Sequence, residues 1–183
     1  MEYTLNNTEL ALLSIISECG SLNGYQLKRT VDERGLQAWA GVSASSIYVV
    51  LKKLEKRGFV FSSPDTNKRS RGPRGQIFVV TDSGKQTLQH EIKGALSGSR
   101  EHDARYNIAL SNLAMLPQPE FLQCCVARLR FLKDERKRIS ERDAEQTNQP
   151  LGASLLFQRI LNGMDAEIFW TTSLIANLKQ QKD

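Results

Sequence analysis

Between Lys52 and Arg74 the chain carries Lys52, Lys53, Lys56, Arg57, Lys68, Arg69, Arg71 and Arg74 against only Glu55 and Asp65. That excess of six positive charges is larger than the +5 of the whole chain. Residues of this type in a short window do ionic chemistry: ammonium and guanidinium groups neutralise phosphates and displace their counterions. Just upstream, Ala44, Ser45, Tyr48, Val49, Lys52 and Lys53 form the outward side of one helical pattern, and the hydroxyls of Ser43, Ser45 and Ser46 stand near the end where backbone N–H groups point outward. An exposed helix beside a basic hairpin fits one groove of a duplex and the adjoining backbone. Each part has a plainer reading alone, the helix as a solvated amphipathic surface and the loop as a solvated basic tip.

Catalytic chemistry has little support. His90 and His102 sit in unrelated surroundings and read as solvent-facing helix residues. Glu91 next to His90 makes no metal pair, because neighbouring residues point to different sides of a helix. Cys124 and Cys125 diverge for the same reason, and Cys19 reads as a small core residue. Three cysteines without regular spacing are not a disulfide framework and suit a reducing compartment. No Gly-rich phosphate loop followed by Lys-Ser/Thr is present. The reading is therefore no enzyme, no metal and no cofactor.

The elements that must position the basic residues are legible from periodicity. Thr8 to Glu18 has Leu10, Leu13 and Ile16 at helical spacing, with Thr8 as N-cap and Gly20 as the stop. Asn23 and Gly24 form a turn before a second helix, YQLKRTVDER, ending at Gly35. Leu36 to Gly41 is a connector containing Trp39. Ser43 caps a third helix whose inward stripe is Ile47, Val50, Leu51 and Leu54, stopped by Gly58. Phe59 to Ser62 and Gln76 to Val80 read as strands joined by a long basic tip, and Thr81 opens a further helix. Three helices followed by a two-stranded hairpin are the plan of a winged helix-turn-helix.

From Leu96 onward the composition changes, with Gly94, Ser97, Gly98 and Ser99 marking the transition. The expected domains are 1–95 and 96–183. Helical patterns run from about Asp103 to Met115, Pro119 to Gln146 and Leu151 to Lys179, with Pro117, Pro119 and Pro150 between them. The last helix carries Phe157, Leu161, Met164, Ile168, Leu174, Ile175 and Leu178, a stripe that needs a partner to cover it.

Residues 8 to about 90 resemble the DNA-binding domain of the PadR family of transcriptional regulators. The resemblance rests on Gly24-Tyr25-Gln26-Leu27, on Ser46-Ile47-Tyr48 with Leu51, Leu54, Glu55, Gly58 and Val60, on Arg71-Gly72-Pro73-Arg74, and on the run from Phe78 through Thr81 to Gly84. It departs from the family at Val49, where Pro is usual, and at Gly75-Gln76, where Lys is frequent. It implies a double-stranded DNA partner, with Tyr25 and Gln26 joining the third helix and Lys68, Arg69, Arg71 and Arg74 of the wing as contacts. It also implies a C-terminal helical dimerisation domain, placing Phe121, Leu129, Leu132, Phe157, Leu161, Met164, Ile168 and Ile175 at a homodimer interface. A repressor on an inverted-repeat operator is the implied function, with a small aromatic or phenolic effector among the implied partners. Trp39 and Trp170, which otherwise read as packing residues, are where such a molecule would be sought.

Hydrophobic residues at 40% and charged residues at 25% are ordinary for a soluble globular protein. The N-terminus lacks the basic start and apolar run of a signal peptide, and no apolar stretch approaches the roughly 18 residues of a membrane span. The expected setting is the cytoplasm. The competing function is a winged helix that docks another protein, since fold alone does not fix function. The Ser/Tyr/Lys face of the third helix favours DNA, because a docking helix would expose apolar or aromatic anchors there.

Overall fold

The computed structural model describes residues 5–65, 75–98, 103–144 and 150–180. The chain divides into two compact units, Met1–Ile92 with Ala104–Met115, and Lys93–Asp103 with Leu116–Asp183. The helix that follows the expected boundary at 95/96, Ala104–Leu110, lies in the first unit.

The first unit is built around α1, Asn7–Cys19, in which every residue from Glu9 to Ile16 is buried. A helix apolar nearly all round must sit inside the fold, and α1 does. Its N-cap is Asn6 rather than Thr8: Asn6 Oδ1 accepts from the Glu9 backbone N–H at 2.9 Å, and the Glu9 carboxylate accepts from the Asn6 backbone N–H at 3.0 Å. This reciprocal box satisfies two orphan donors, which a cap at Thr8 would leave unpaired. Cys19, at the exposed end of α1, is not a core residue.

Leu22–Asn23 form a short strand, β1, where the sequence suggested only a turn. Asn23 also caps α2, Gly24–Glu33, in a second reciprocal box with Gln26. The expected connector is helical, α3, Leu36–Ala40, and Gly41 closes it at φ 67°. Ser43 caps not the expected third helix itself but a single 3-10 turn, Ala44–Ser46, which leads into α4, Ile47–Lys56. The end of α4 is fixed by Gly58 at φ 73°. The Phe59 N–H reaches Leu54 O and the Gly58 N–H reaches Glu55 O, the paired bonds of a Schellman stop.

The wing strands β2, Val60–Pro64, and β3, Gln76–Val80, pair antiparallel with Val60 opposite Val80 and Ser62 opposite Phe78. β1 adds to the free edge of β3, with Leu22 opposite Phe78, so the sheet order is β1-β3-β2. Leu22, Val60, Phe78 and Val80 face the core. The Asp65 N–H donates to Gly75 O and closes the strands at the base of the tip. Thr81 Oγ1 accepts from the Gly84 N–H and opens α5, Asp82–Gly98, as its position in the sequence indicated. α6, Ala104–Leu110, is tied to this unit by buried Arg105, which pairs with Glu91 and donates to Leu5 O.

The second unit is dominated by two long helices, α7, Gln118–Ala144, and α8, Leu151–Gln180. At 1.5 Å per residue they run about 40 and 45 Å. They lie antiparallel: Gln118 near one end of α7 donates to Leu178 O, and Arg136 further along pairs with Asp165. The two helices pack along one another, and Phe121, Cys124, Cys125 and Leu132 of α7 and Met164, Thr171 and Ile175 of α8 are buried. Among the described residues no helix is long and apolar enough to cross a membrane.

Candidate nucleic-acid interface

α4 has the two-sided character its sequence promised. Ile47, Leu51 and Leu54 are buried and Val50, expected inward with them, is only half-buried, while Tyr48, Val49, Lys52 and Lys53 are exposed. Val49 is 71% exposed. Lys52 is exposed and makes no ion pair among the described residues. The serines ahead of α4 are engaged with one another. Ser43 Oγ accepts from the Ser45 N–H, the Ser43 and Ser45 hydroxyls lie 2.8 Å apart, and Ser46 Oγ donates to Ser43 O. Ser45 is the more exposed donor; the Ser46 hydroxyl is already committed to the backbone.

Lys53 belongs to a different network from Lys52. Its Nζ lies 2.6 Å from Glu9 Oε1, and Arg57 Nη1 lies 3.1 Å from Glu9 Oε2. Glu9 is almost fully buried, so this carboxylate holds two cations at the surface end of α4. Desolvation pushes the Glu9 carboxyl upward, but the hydrogen bonds from Lys53 and the Asn6 backbone and the charges of Lys53 and Arg57 outweigh it. The net result lies below the ordinary glutamate value. Nothing in the local pattern of Asn-Asn-Thr-Glu signals this role. The acid became a candidate only when α1 and α4 packed together. Arg57 also stacks over the Phe59 ring at 4.7 Å, which anchors the start of the wing.

The start of α2 lies beside α4. Tyr25 is 72% exposed and available to a partner. Gln26 is exposed, but its Oε1 accepts from the Asn23 backbone N–H at 2.9 Å, so its acceptor serves the helix cap. The Tyr48 ring lies directly against Gly24. Together Asn23, Gly24, Tyr25 and Tyr48 face Asp65, Gly75, Gln76 and Phe78 across a cleft of about 500 Å³ between α4 and the base of the wing. Asn23 Nδ2 donates to Asp65 across it. In the sequence Asp65 counted only as one of two acids in the basic stretch and Gly24 as a turn residue and part of the Gly24-Tyr25-Gln26-Leu27 run; neither was placed at this cleft, because an acid next to a basic tip and a glycine at a helix start have no periodic signature. Lys68, Arg69, Arg71, Arg74 and His102 lie outside the described residues.

The residues expected at a homodimer interface separate into two groups. Phe121, Leu132, Met164 and Ile175 are buried within the second unit, because α7 and α8 of the same chain cover that stripe. Leu129, Phe157, Leu161 and Ile168 are half-buried along its flank. A second set of apolar residues lies outward on α8, interrupted by the exposed Arg159 and Asn162. At about 100° per residue, Leu151, Leu155 and Phe169 fall within about 40° of one another, opposite Met164, Thr171 and Ile175. All three are more than half exposed, and Trp170 lies beside them at 41%. Trp39 on α3 is partly exposed, with its indole N–H donating to Arg34 O at 3.0 Å. Among the described residues no group of His, Cys, Asp and Glu side chains could hold a metal ion.

Three packed helices and an antiparallel hairpin, with an exposed helix seated beside the hairpin base, define a winged helix-turn-helix protein. Residues 12–90 match the model of the transcriptional regulator PadR-like family. The chain is also similar to Bacillus subtilis PadR in complex with operator DNA, at 20% identity and a TM-score of 0.44, covering 93% of this chain and 98% of that one. The complex of Bacillus subtilis PadR with p-coumaric acid matches at 19% identity and a TM-score of 0.41, covering 98% of this chain and 99% of that one. No curated protein matches the sequence.

Proposed function

We propose that this chain is a sequence-specific DNA-binding transcriptional regulator, acting as a homodimeric repressor on an inverted-repeat operator. The observation that carries the reading is α4. Its Ile47, Leu51 and Leu54 are buried, and its Tyr48, Val49 and Lys52 side is open beside the base of a basic wing, inside a region that matches a family of transcriptional regulators. In this reading α4 enters the major groove with Ser45, Tyr48, Val49 and Lys52 foremost. Tyr25 approaches the neighbouring backbone, and Lys68, Arg69, Arg71 and Arg74 of the wing supply phosphate contacts.

The two-fold arrangement follows from the function. Paired heads read half-sites roughly one turn, about 34–36 Å, apart. The exposed Leu151, Leu155 and Phe169 and the half-buried Leu129, Phe157, Leu161 and Ile168 supply apolar surface for a second copy. Residues 1–95 then serve as the DNA-binding part and 96–183 as the dimerisation and effector part. A small aromatic or phenolic molecule that alters the spacing of the heads would release one half-site. Trp39, just ahead of α4, and Trp170, on α8, are the aromatic side chains placed to report it.

Selection of bound duplexes from a random pool tests the reading. Enrichment of an inverted repeat is the expected result. A pool that stays random would overturn sequence-specific binding, and an enriched single half-site would overturn the paired-head arrangement.

A further inference from the structure

We propose that Gly24 is a positioning residue for Tyr48, holding the phenol ring of the α4 face in one place at the cleft beside the wing base. The inference rests on reading α4 as the helix that contacts DNA. Gly24 is the first residue of α2, and its φ is not in the left-handed region that requires glycine at Gly20, Gly35, Gly41 and Gly58. Backbone conformation therefore gives no reason for glycine here. In a helix alanine is the better residue, by up to about 1 kcal/mol.

What glycine supplies at this point is space. A Cβ on residue 24 would stand 2.5 Å from Tyr48 Cε1, 3.0 Å from Cζ and 3.1 Å from the hydroxyl oxygen. Those are the three nearest atoms, and all belong to the phenol end of one side chain. Carbon atoms do not approach to 2.5 Å, so an added methyl must displace the ring. Tyr48 is 56% exposed, and its ring can swing into solvent without opening the core. The outcome of filling the space is a displaced phenol in an intact fold.

The position matters because of what surrounds it. With its ring seated on Gly24, Tyr48 lines the cleft together with Asn23, Asp65 and Gln76. An exposed aromatic held in one orientation before binding spares the entropy of ordering it on contact with a partner. A ring released from Gly24 must be immobilised each time.

The experiment is a double-mutant cycle of Gly24→Ala and Tyr48→Ala with two readouts. The first is the NMR shift of the Tyr48 ring protons in the free protein. The second is affinity for the tightest duplex selected from a random pool. Gly24→Ala is expected to move the ring resonances while leaving the melting temperature equal or higher. It should weaken specific binding about three- to tenfold, the affinity equivalent of one immobilised side chain, and have no further effect once Tyr48 is alanine. Unmoved ring resonances would overturn the positioning role, as would an equal affinity loss with and without the Tyr48 ring. If Tyr48→Ala and Lys52→Ala both leave duplex binding unchanged, the DNA reading of α4 fails instead, and the ring resonances alone decide the role of Gly24.

Discussion

Glu9 of α1 and Lys53 of α4 form an ion pair at 2.6 Å, with a carboxylate that is almost fully buried and an ammonium that is more than half exposed. The pair ties the central helix to the outer one and gives adjacent lysines different duties. Lys52 is free to meet a phosphate or a base edge, whereas Lys53 is a fastening that holds α4 against α1.

Removing the carboxylate should therefore act first on stability. Glu9→Gln is expected to lower the unfolding free energy by about 2 kcal/mol at pH 7, the scale of hydrogen bonds to a charged group. Glu9 in the fold lies below its ordinary value of 4.5. A depressed carboxylate contributes stability above its unfolded value and loses it as pH falls through the folded one. The gap between wild type and Glu9→Gln should thus shrink at pH 3. Denaturant titration at the two pH values measures it, and a gap that is constant with pH would remove the ionised carboxylate from the explanation.

The division of labour between the lysines has its own readout. Lys52→Ala should lower duplex affinity and reduce the slope of log affinity against log salt by about one. Lys53→Ala should change that slope less and the melting temperature more. Arg71→Ala with Arg74→Ala should flatten the salt dependence further, and an unchanged slope would remove the wing from the interface.

Gly58 is a backbone requirement. At φ 73° it ends α4 and starts the wing, so Gly58→Ala places a Cβ in the left-handed region at a cost of about 1–2 kcal/mol. Thermal or chemical denaturation reads the loss directly. Gly24→Ala, at a helical φ, is the internal contrast and should show none.

The cysteines should react unequally. Burial, with a smaller contribution from the Cys124 thiol, pushes the Cys125 thiol up to about 11, so almost no thiolate exists at pH 8. Cys19 is exposed at the end of α1. Alkylation of the native protein followed by peptide mass mapping is expected to label Cys19 and to spare Cys125 until the chain is unfolded.

The outward apolar residues of α8 predict an assembly. Leu155→Glu with Phe169→Glu leaves the buried residues of α7 and α8 untouched and should shift a dimer to monomer in sedimentation at micromolar concentration. A monomeric wild type would count against paired heads.

Much of the first unit could be read along the chain. Ile47, Leu51 and Leu54 at helical spacing, a left-handed glycine at 58 and the two apolar runs flanking the basic tip are local signals, so α4 and the hairpin were legible from residues close in sequence. β1 was not: Leu22 and Asn23 are too few to show a period, and they become a strand only because the free edge of β3 offers them partners. α3 was hidden in a five-residue segment bounded by glycines, too short for periodicity to declare.

On α8 the sequence displayed apolar residues on nearly every side but not which stripe was already taken. Packing against α7 covers Met164 and Ile175 and leaves Leu151, Leu155 and Phe169 outside. The same holds at the candidate interface. Charge, amphipathic spacing and turn chemistry, which act between near neighbours, by themselves determined a basic winged helix with α4 facing outward. The fastening of Lys53 by Glu9 and the seating of Tyr48 on Gly24 join residues far apart in the chain. Only the tertiary packing decided them, because no local pattern records which distant side chain fills a given space.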